Sequence, residues 1–132
     1  ASSLRHFLSD RAIRISDSVP SLVPLYQRSA AVVGPIRSGE GVRGKFLEAL
    51  ACGCPVITTA LGASGIQAGP AQGLFTADTP EDFVAKTIPF LQNPTAHEVL
   101  RRAAAENILR HHSIEAWGRT FQTILADLFP TA

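Results

Sequence analysis

Residues 30–36 read AAVVGPI and are apolar at odd and even positions alike. A strand of that kind is stable only when both faces of its sheet are covered. Residues 55–59, PVITT, make a second buried strand, and 74–76, LFT, a short third one. Apolar residues at helical spacing fill the stretches between them. This alternation fits an α/β domain built on a parallel sheet. Right-handed crossovers then place helices on both faces. The arrangement also says where to look for function, because open parallel sheets bind ligands at the carboxyl ends of their strands. Residues 37–45, RSGEGVRGK, follow the first of these strands directly.

The remaining elements are placed by local signals. Residues 1–10 suggest a short amphipathic helix, and 12–15 a strand ending at Ser16-Asp17-Ser18. Pro20 can open a helix with Leu22, Val23, Leu25 and Tyr26 as its stripe. A helix over 42–51 would bury Val42, Phe46, Leu47 and Leu50 and stop at Gly53. Residues 61–73 read as a loop. Thr79-Pro80-Glu81-Asp82 caps a helix carrying Phe83, Val84, Ile88 and Leu91 that ends near Asn93-Pro94. Another helix covers 95–110, and Ser113 caps a last one with Trp117, Phe121, Ile124, Leu125 and Leu128 at helical spacing. On that helix Trp117 is expected to anchor the core rather than to stack on a sugar. His111 and His112 suit the negative end of a helix dipole better than a metal.

At 132 residues the chain is long enough for one core, so 1–132 is read as a single domain. A net charge of +1 gives no broad affinity for nucleic acid or for an anionic membrane, and no apolar run is long enough to span a bilayer. Cys52 and Cys54 are too close for an unstrained disulfide and lack the further ligands that zinc would need. They fit small buried thiols in a reducing cytosol.

The 37–45 stretch carries the chemistry. A helix N-terminus offers unpaired N–H groups and partial positive charge. Gly39, Gly41 and Gly44 clear access to those donors, and Arg43 and Lys45 add charge beside them. Phosphate fits such a site. The alternative is a tight strand–helix turn in which glycine serves geometry alone. The spacing is not that of a Walker A loop, and the match of 39–44 to G-x-G-x-x-G is weak by itself. Glu40 and Glu48 lie at most about 12 Å apart along a helical rise. One could meet a ribose and the other a second polyhydroxylated group across a pyrophosphate. Alternatively, Glu48 pairs with Lys45 one turn back, worth a few tenths of a kcal/mol.

Residues 39–59, GEGVRGKFLEALACGCPVITT, resemble the E-x7-E segment of the group 1 (family 4) retaining glycosyltransferases, two-domain enzymes of GT-B architecture. The chain follows the pattern G-x-G-[VI]-[KR]-G-K-x-L-E-A-[ML]-A-x-G-x-P-V-[VI]-x-T at nearly every position. Residues 19–26 are similar to the family's V-x-x-L-x-x-x-Y segment, and 59–65 to its T-x-x-G-x-x-G loop. The resemblance implies a Rossmann-like parallel sheet flanked by helices, forming part of the C-terminal, donor-binding domain with a helical tail. It implies that Glu48 accepts hydrogen bonds from the ribose of a nucleotide-sugar donor and that Glu40 lies by the donor sugar and the reacting centre. Backbone amides of Gly41, Val42 and Arg43 would hold the diphosphate, with Gly39 and Lys45 in the same turn and backbone near Val19 by the nucleobase. The donor is then a substrate, and no metal or cofactor is required.

The same resemblance leaves parts unmatched. An earlier strand with an Arg and a Lys that clamp the diphosphate is not found before residue 12, nor is the N-terminal acceptor domain. The chain is therefore expected to be an incomplete donor domain, inactive alone and prone to self-association through exposed apolar surface. The full enzyme would be cytoplasmic and could lie at the inner face of the membrane while extending a polysaccharide. The competing reading is a non-catalytic α/β module for a phosphorylated ligand or a protein partner.

Overall fold

The computed structural model describes residues 12–16 and 18–129. Three parallel strands form one sheet in the order β1 (Val32–Gly34), β2 (Val56–Thr58), β3 (Leu74–Thr76). The register aligns Val32, Val56 and Leu74 in one row and Val33, Ile57 and Phe75 in the next. Side chains alternate across a sheet, so the two rows face opposite layers. Val56 and Leu74 pack with Phe46, Ala49, Leu50, Ala104 and Ile108, whereas Ile57 packs with Ala77 and Phe90. The central strand β2 is buried at every residue, Thr58 included, as a strand covered on both faces of the sheet requires.

The first layer is built by α1 (Val23–Arg28), α2 (Gly44–Ala51) and α5 (Glu98–His112). The second is built by α4 (Pro80–Gln92). A single helical turn, α3 (Ala60–Ala63), lies between α2 and α4 in sequence, and α6 (Ile114–Leu128) follows α5. Gly34 lets the α2 helix approach the sheet, because a Cβ there would sit 2.4 Å from Cζ of Phe46. The caps at Thr79 and Ser113 form as the sequence suggests, each hydroxyl accepting from an N–H three residues on. Cys52 and Cys54 are free thiols, and burial pushes the Cys54 thiol up. Among the described residues no helix is long and apolar enough to cross a membrane.

Several expectations are corrected. Residues 12–15 form no strand, and Ile13 and Ile15 are exposed. β-Branched residues become a strand only where a ladder partner exists, and among the described residues none pairs with them. Helix α1 begins at Val23 with Pro24, not Pro20, in its first turn, and buries only Tyr26. Helix α2 starts at Gly44 rather than Val42, because Gly39 and Gly41 take positive φ (100° and 81°) and hold the chain out of the helix. The 61–73 stretch contains most of α3 and a 3-10 turn at Pro70–Gln72. Another 3-10 turn at Pro94–His97 delays α5 to Glu98. On α4 the buried residue is Phe90, while Val84, Ile88 and Leu91 face outward. Trp117 is 67% exposed and anchors no core. The helix expected over 1–10 lies outside the described residues.

The end of α5 clasps the loop after α3. His112 Nε2 accepts from the Gln67 N–H at 3.0 Å, and Asn107 Nδ2 donates to the Gln67 carbonyl at 2.6 Å. Only a neutral imidazole can accept, and burial, then the neighbouring His111, pull the His112 pKa below its usual value. The unfolded chain therefore binds the extra proton first, and stability falls as pH drops through about 6.5 and below. The melting temperature is expected to decline between about pH 7.5 and 5.5, with a shallower slope in His112→Gln, whose amide oxygen accepts without titrating. Equal slopes would remove His112 from the effect.

Candidate functional site

The site grows from the carboxyl ends of β1 and β2. Thr58 Oγ1 donates to the Gly34 carbonyl at 2.7 Å, and Thr59 Oγ1 donates to the Ile36 carbonyl at 2.7 Å. Thr59 Oγ1 also accepts from the Gly62 N–H, so one hydroxyl caps α3 and fixes the chain leaving β1. Gly62 is needed for this closure, since a Cβ there would fall 2.0 Å from Thr58 Oγ1. Asp78, just past β3, completes the rim by accepting from the Ala60 N–H at 3.1 Å.

From this base the 37–45 turn runs to α2. Arg43 folds back over it: Nη1 donates to the Glu40 carbonyl at 2.8 Å and Nη2 to the Ser38 carbonyl at 3.4 Å. Its Nε is buried without a partner. The sequence puts the Arg43 charge at the disposal of an anion, but the side chain mainly holds the turn closed. Val42 packs against the loop after α3 so tightly that a Cβ on Gly65 would lie 2.6 Å from Val42 Cγ2.

The backbone donors face a different situation. Among the described residues, the N–H groups of Gly41, Val42, Arg43, Gly44 and Lys45 donate to no protein acceptor. Arg43 at the N-cap gives no side-chain cap, and the first turn of α2 carries no acid. Nothing lies within 4 Å of a Cβ built on Gly41 or on Gly44, so the approach is open. The start of α2 is thus a run of unsatisfied donors at the positive end of a helix dipole. Lys45 Nζ lies over the Phe46 ring at 5.6 Å, and no ion pair joins it to Glu48.

The two acids sit on either side of these donors. Glu40 is exposed in the turn, and Glu48 is exposed one turn into α2, off the side that buries Phe46, Ala49 and Leu50. Burial first, and then the nearby Glu48 charge, raise the Tyr26 phenol on α1. Residues 39–45 and Glu48 are therefore contiguous on one helix start. Val19 is half-buried in the segment before α1, and among the described residues no hydrogen bond ties it to the turn.

Sequence reasoning passes over a cleft of about 490 Å³ beside the turn, lined by Val33, Pro35, Arg37, Thr59, Asp78 and Phe83. Its one local signal is polar residues directly after strands, at Thr59 and Asp78. No three His, Cys, Asp or Glu side chains converge to hold a metal among the described residues.

The chain is thus an α/β protein whose parallel sheet delivers a glycine-rich helix start at its carboxyl edge, where open sheets of this kind bind ligands. The chain belongs to the group 1 glycosyl transferases, whose family model, described as "Glycosyl transferases group 1", matches residues 2–93. The match covers the whole sheet, α1 to α4 and every candidate site residue, and it gives the chain a glycosyl-transfer role. No curated protein and no solved structure gives a significant match.

Proposed function

We propose that the chain is the donor-binding part of a nucleotide-sugar-dependent, metal-independent retaining glycosyltransferase. The unsatisfied amides of 41–45 carry this reading. A diphosphate would take their hydrogen bonds, with Lys45 and the α2 dipole balancing its charge. Glu48 would accept from the ribose hydroxyls, and Glu40 would orient the sugar. The segment at Val19 would border the base. In the transfer, the acceptor hydroxyl oxygen bonds to the anomeric carbon while the carbon–oxygen bond to the diphosphate breaks. The bonding pair leaves with the nucleoside diphosphate, which takes the hydroxyl proton on the same face, so configuration is retained. Acceptor binding would fall to a separate N-terminal domain, in a cytoplasmic enzyme working at the inner face of the membrane.

The reading is tested by melting the chain with UDP, GDP, ADP and dTDP. At least one is expected to raise the melting temperature, as a ligand at a hundred times its Kd adds about 2.7 kcal/mol. Glu48→Ala is expected to shrink that shift while leaving the unliganded melt unchanged, since the side chain is exposed and unpaired. A panel without any shift at millimolar concentration overturns the proposal.

A further inference from the structure

Residues 38–42 are held by little of their own backbone. Among the described residues, none of their N–H or carbonyl groups takes part in a main-chain hydrogen bond. Gly39 and Gly41 take positive φ here, and glycine is the residue with most conformational freedom to lose. The hydrogen-bonded tethers come from Arg43, with Nη1 on the Glu40 carbonyl and Nη2, at longer range, on the Ser38 carbonyl. The guanidinium lies against Gly39 itself: a Cβ there would sit 3.1 Å from Nη2 and 3.7 Å from Cζ. Its third edge, Nε, is buried without a partner, which is costly and comes with turning both Nη groups of a planar fork onto the turn.

We propose that the Arg43 side chain is a positioning residue that aims the Gly39 and Gly41 amides at the diphosphate. The inference rests on the donor-binding reading above. A trans peptide is planar, and its carbonyl and N–H point in opposite directions. The Glu40 carbonyl shares a peptide with the Gly41 N–H, and the Ser38 carbonyl shares one with the Gly39 N–H. Drawing both carbonyls to the guanidinium therefore turns both N–H groups to the other side. Neither N–H donates to a protein acceptor among the described residues. Turn amides that converge from one side form an anion-binding concavity. Arg43 acts from behind this cradle, its fork committed to carbonyls. The effect is preorganisation. Without the fork the diphosphate would have to order the glycine turn itself, and that entropy would come out of its affinity.

Nucleoside diphosphate titrations and NMR relaxation of the backbone amides, both on the whole chain, test the proposal. In the unliganded wild type the Gly39 and Gly41 amides are expected to be ordered, with order parameters near about 0.85. In Arg43→Lys they should fall below about 0.6 while the amides of α2 stay unchanged. Lysine keeps the charge and lacks the fork. If the loosened turn visits the competent geometry a tenth of the time, Kd rises about tenfold, and it should rise equally in Arg43→Gln. Millimolar guanidinium, but not methylammonium, should restore affinity to Arg43→Ala, a rescue that a role in folding alone would not give. Wild-type affinity in Arg43→Lys, with loss only in Arg43→Gln, would make Arg43 a charge contact to phosphate and overturn the proposal. Unchanged order parameters in Arg43→Lys, or no rescue by guanidinium, would overturn it as well. A wild type that binds no nucleoside diphosphate overturns the donor-binding reading together with this inference, whereas equal binding by wild type and Arg43→Lys overturns this inference alone.

Discussion

Phe46→Ala is expected to cost about 3–5 kcal/mol, a large fraction of the roughly 5–15 kcal/mol that stabilises a domain of this size. Phe46 is fully buried on α2 and belongs to the cluster that includes Tyr26, Leu50, Val56 and Leu74. Its ring lies over Gly34, so it also sets the distance between α2 and β1. The vacated space cannot close easily, because β1 is held to β2 by the parallel ladder and by the Thr58 hydroxyl on the Gly34 carbonyl. Urea titration should show a lower midpoint with an unchanged slope. The geometry further predicts the sign of a coupling. Gly34→Ala alone forces a Cβ to 2.4 Å from the ring and is destabilising. In the Phe46→Ala background the same methyl enters empty space, so the double variant should be more stable than the two single effects add up to. Additive losses would mean that the ring and the strand do not meet as described.

The parts of this structure that the sequence reveals are those whose cause is local. The strand over 74–76 and the caps at Thr79 and Ser113 depend on neighbours within a few residues, and they fall where the pattern puts them. The start of α2 is displaced by two residues because a glycine's choice of positive φ is not visible in hydrophobic spacing. Residues 12–15 have the composition of a strand, but pairing is a long-range matter that composition does not settle. Helix α6 is the same lesson for amphipathicity: the stripe with Trp117 is plain in the sequence, and whether anything covers it is not. At the site, Gly39, Gly41 and Gly44 mark the turn from sequence alone. The Thr58 and Thr59 hydroxyls that fix its base are missed, because they act on carbonyls 23 and 24 residues away. The bonds from the Arg43 guanidinium to the turn's own carbonyls are likewise not visible in the sequence, because they depend on how the turn folds back.

Gly41→Val is expected to abolish the nucleoside diphosphate response while leaving the fold intact, which separates the proposed cradle from the scaffold. Space is not the obstacle, since nothing approaches a Cβ at this position. Conformation is: φ is +81°, and a β-branched residue there is strained by about 1–3 kcal/mol. The turn is exposed, and its hydrogen-bonded tethers are the two bonds from Arg43, so it can relieve that strain by moving to negative φ. The N–H groups of 41–43 are then aimed elsewhere, and a diphosphate loses several charge-assisted hydrogen bonds together. Gly44→Ala supplies the contrast. Gly44 is the first residue of α2 and is equally open, but its φ is not positive, so alanine should raise helix stability by up to about 1 kcal/mol and preserve the amide directions. Thermal shifts with the nucleotide that stabilises the wild type should therefore vanish in one variant and survive in the other. If Gly41→Val kept the full shift, the amides of this turn would not be what the diphosphate touches, and the site would have to move to the neighbouring cleft around Arg37 and Thr59.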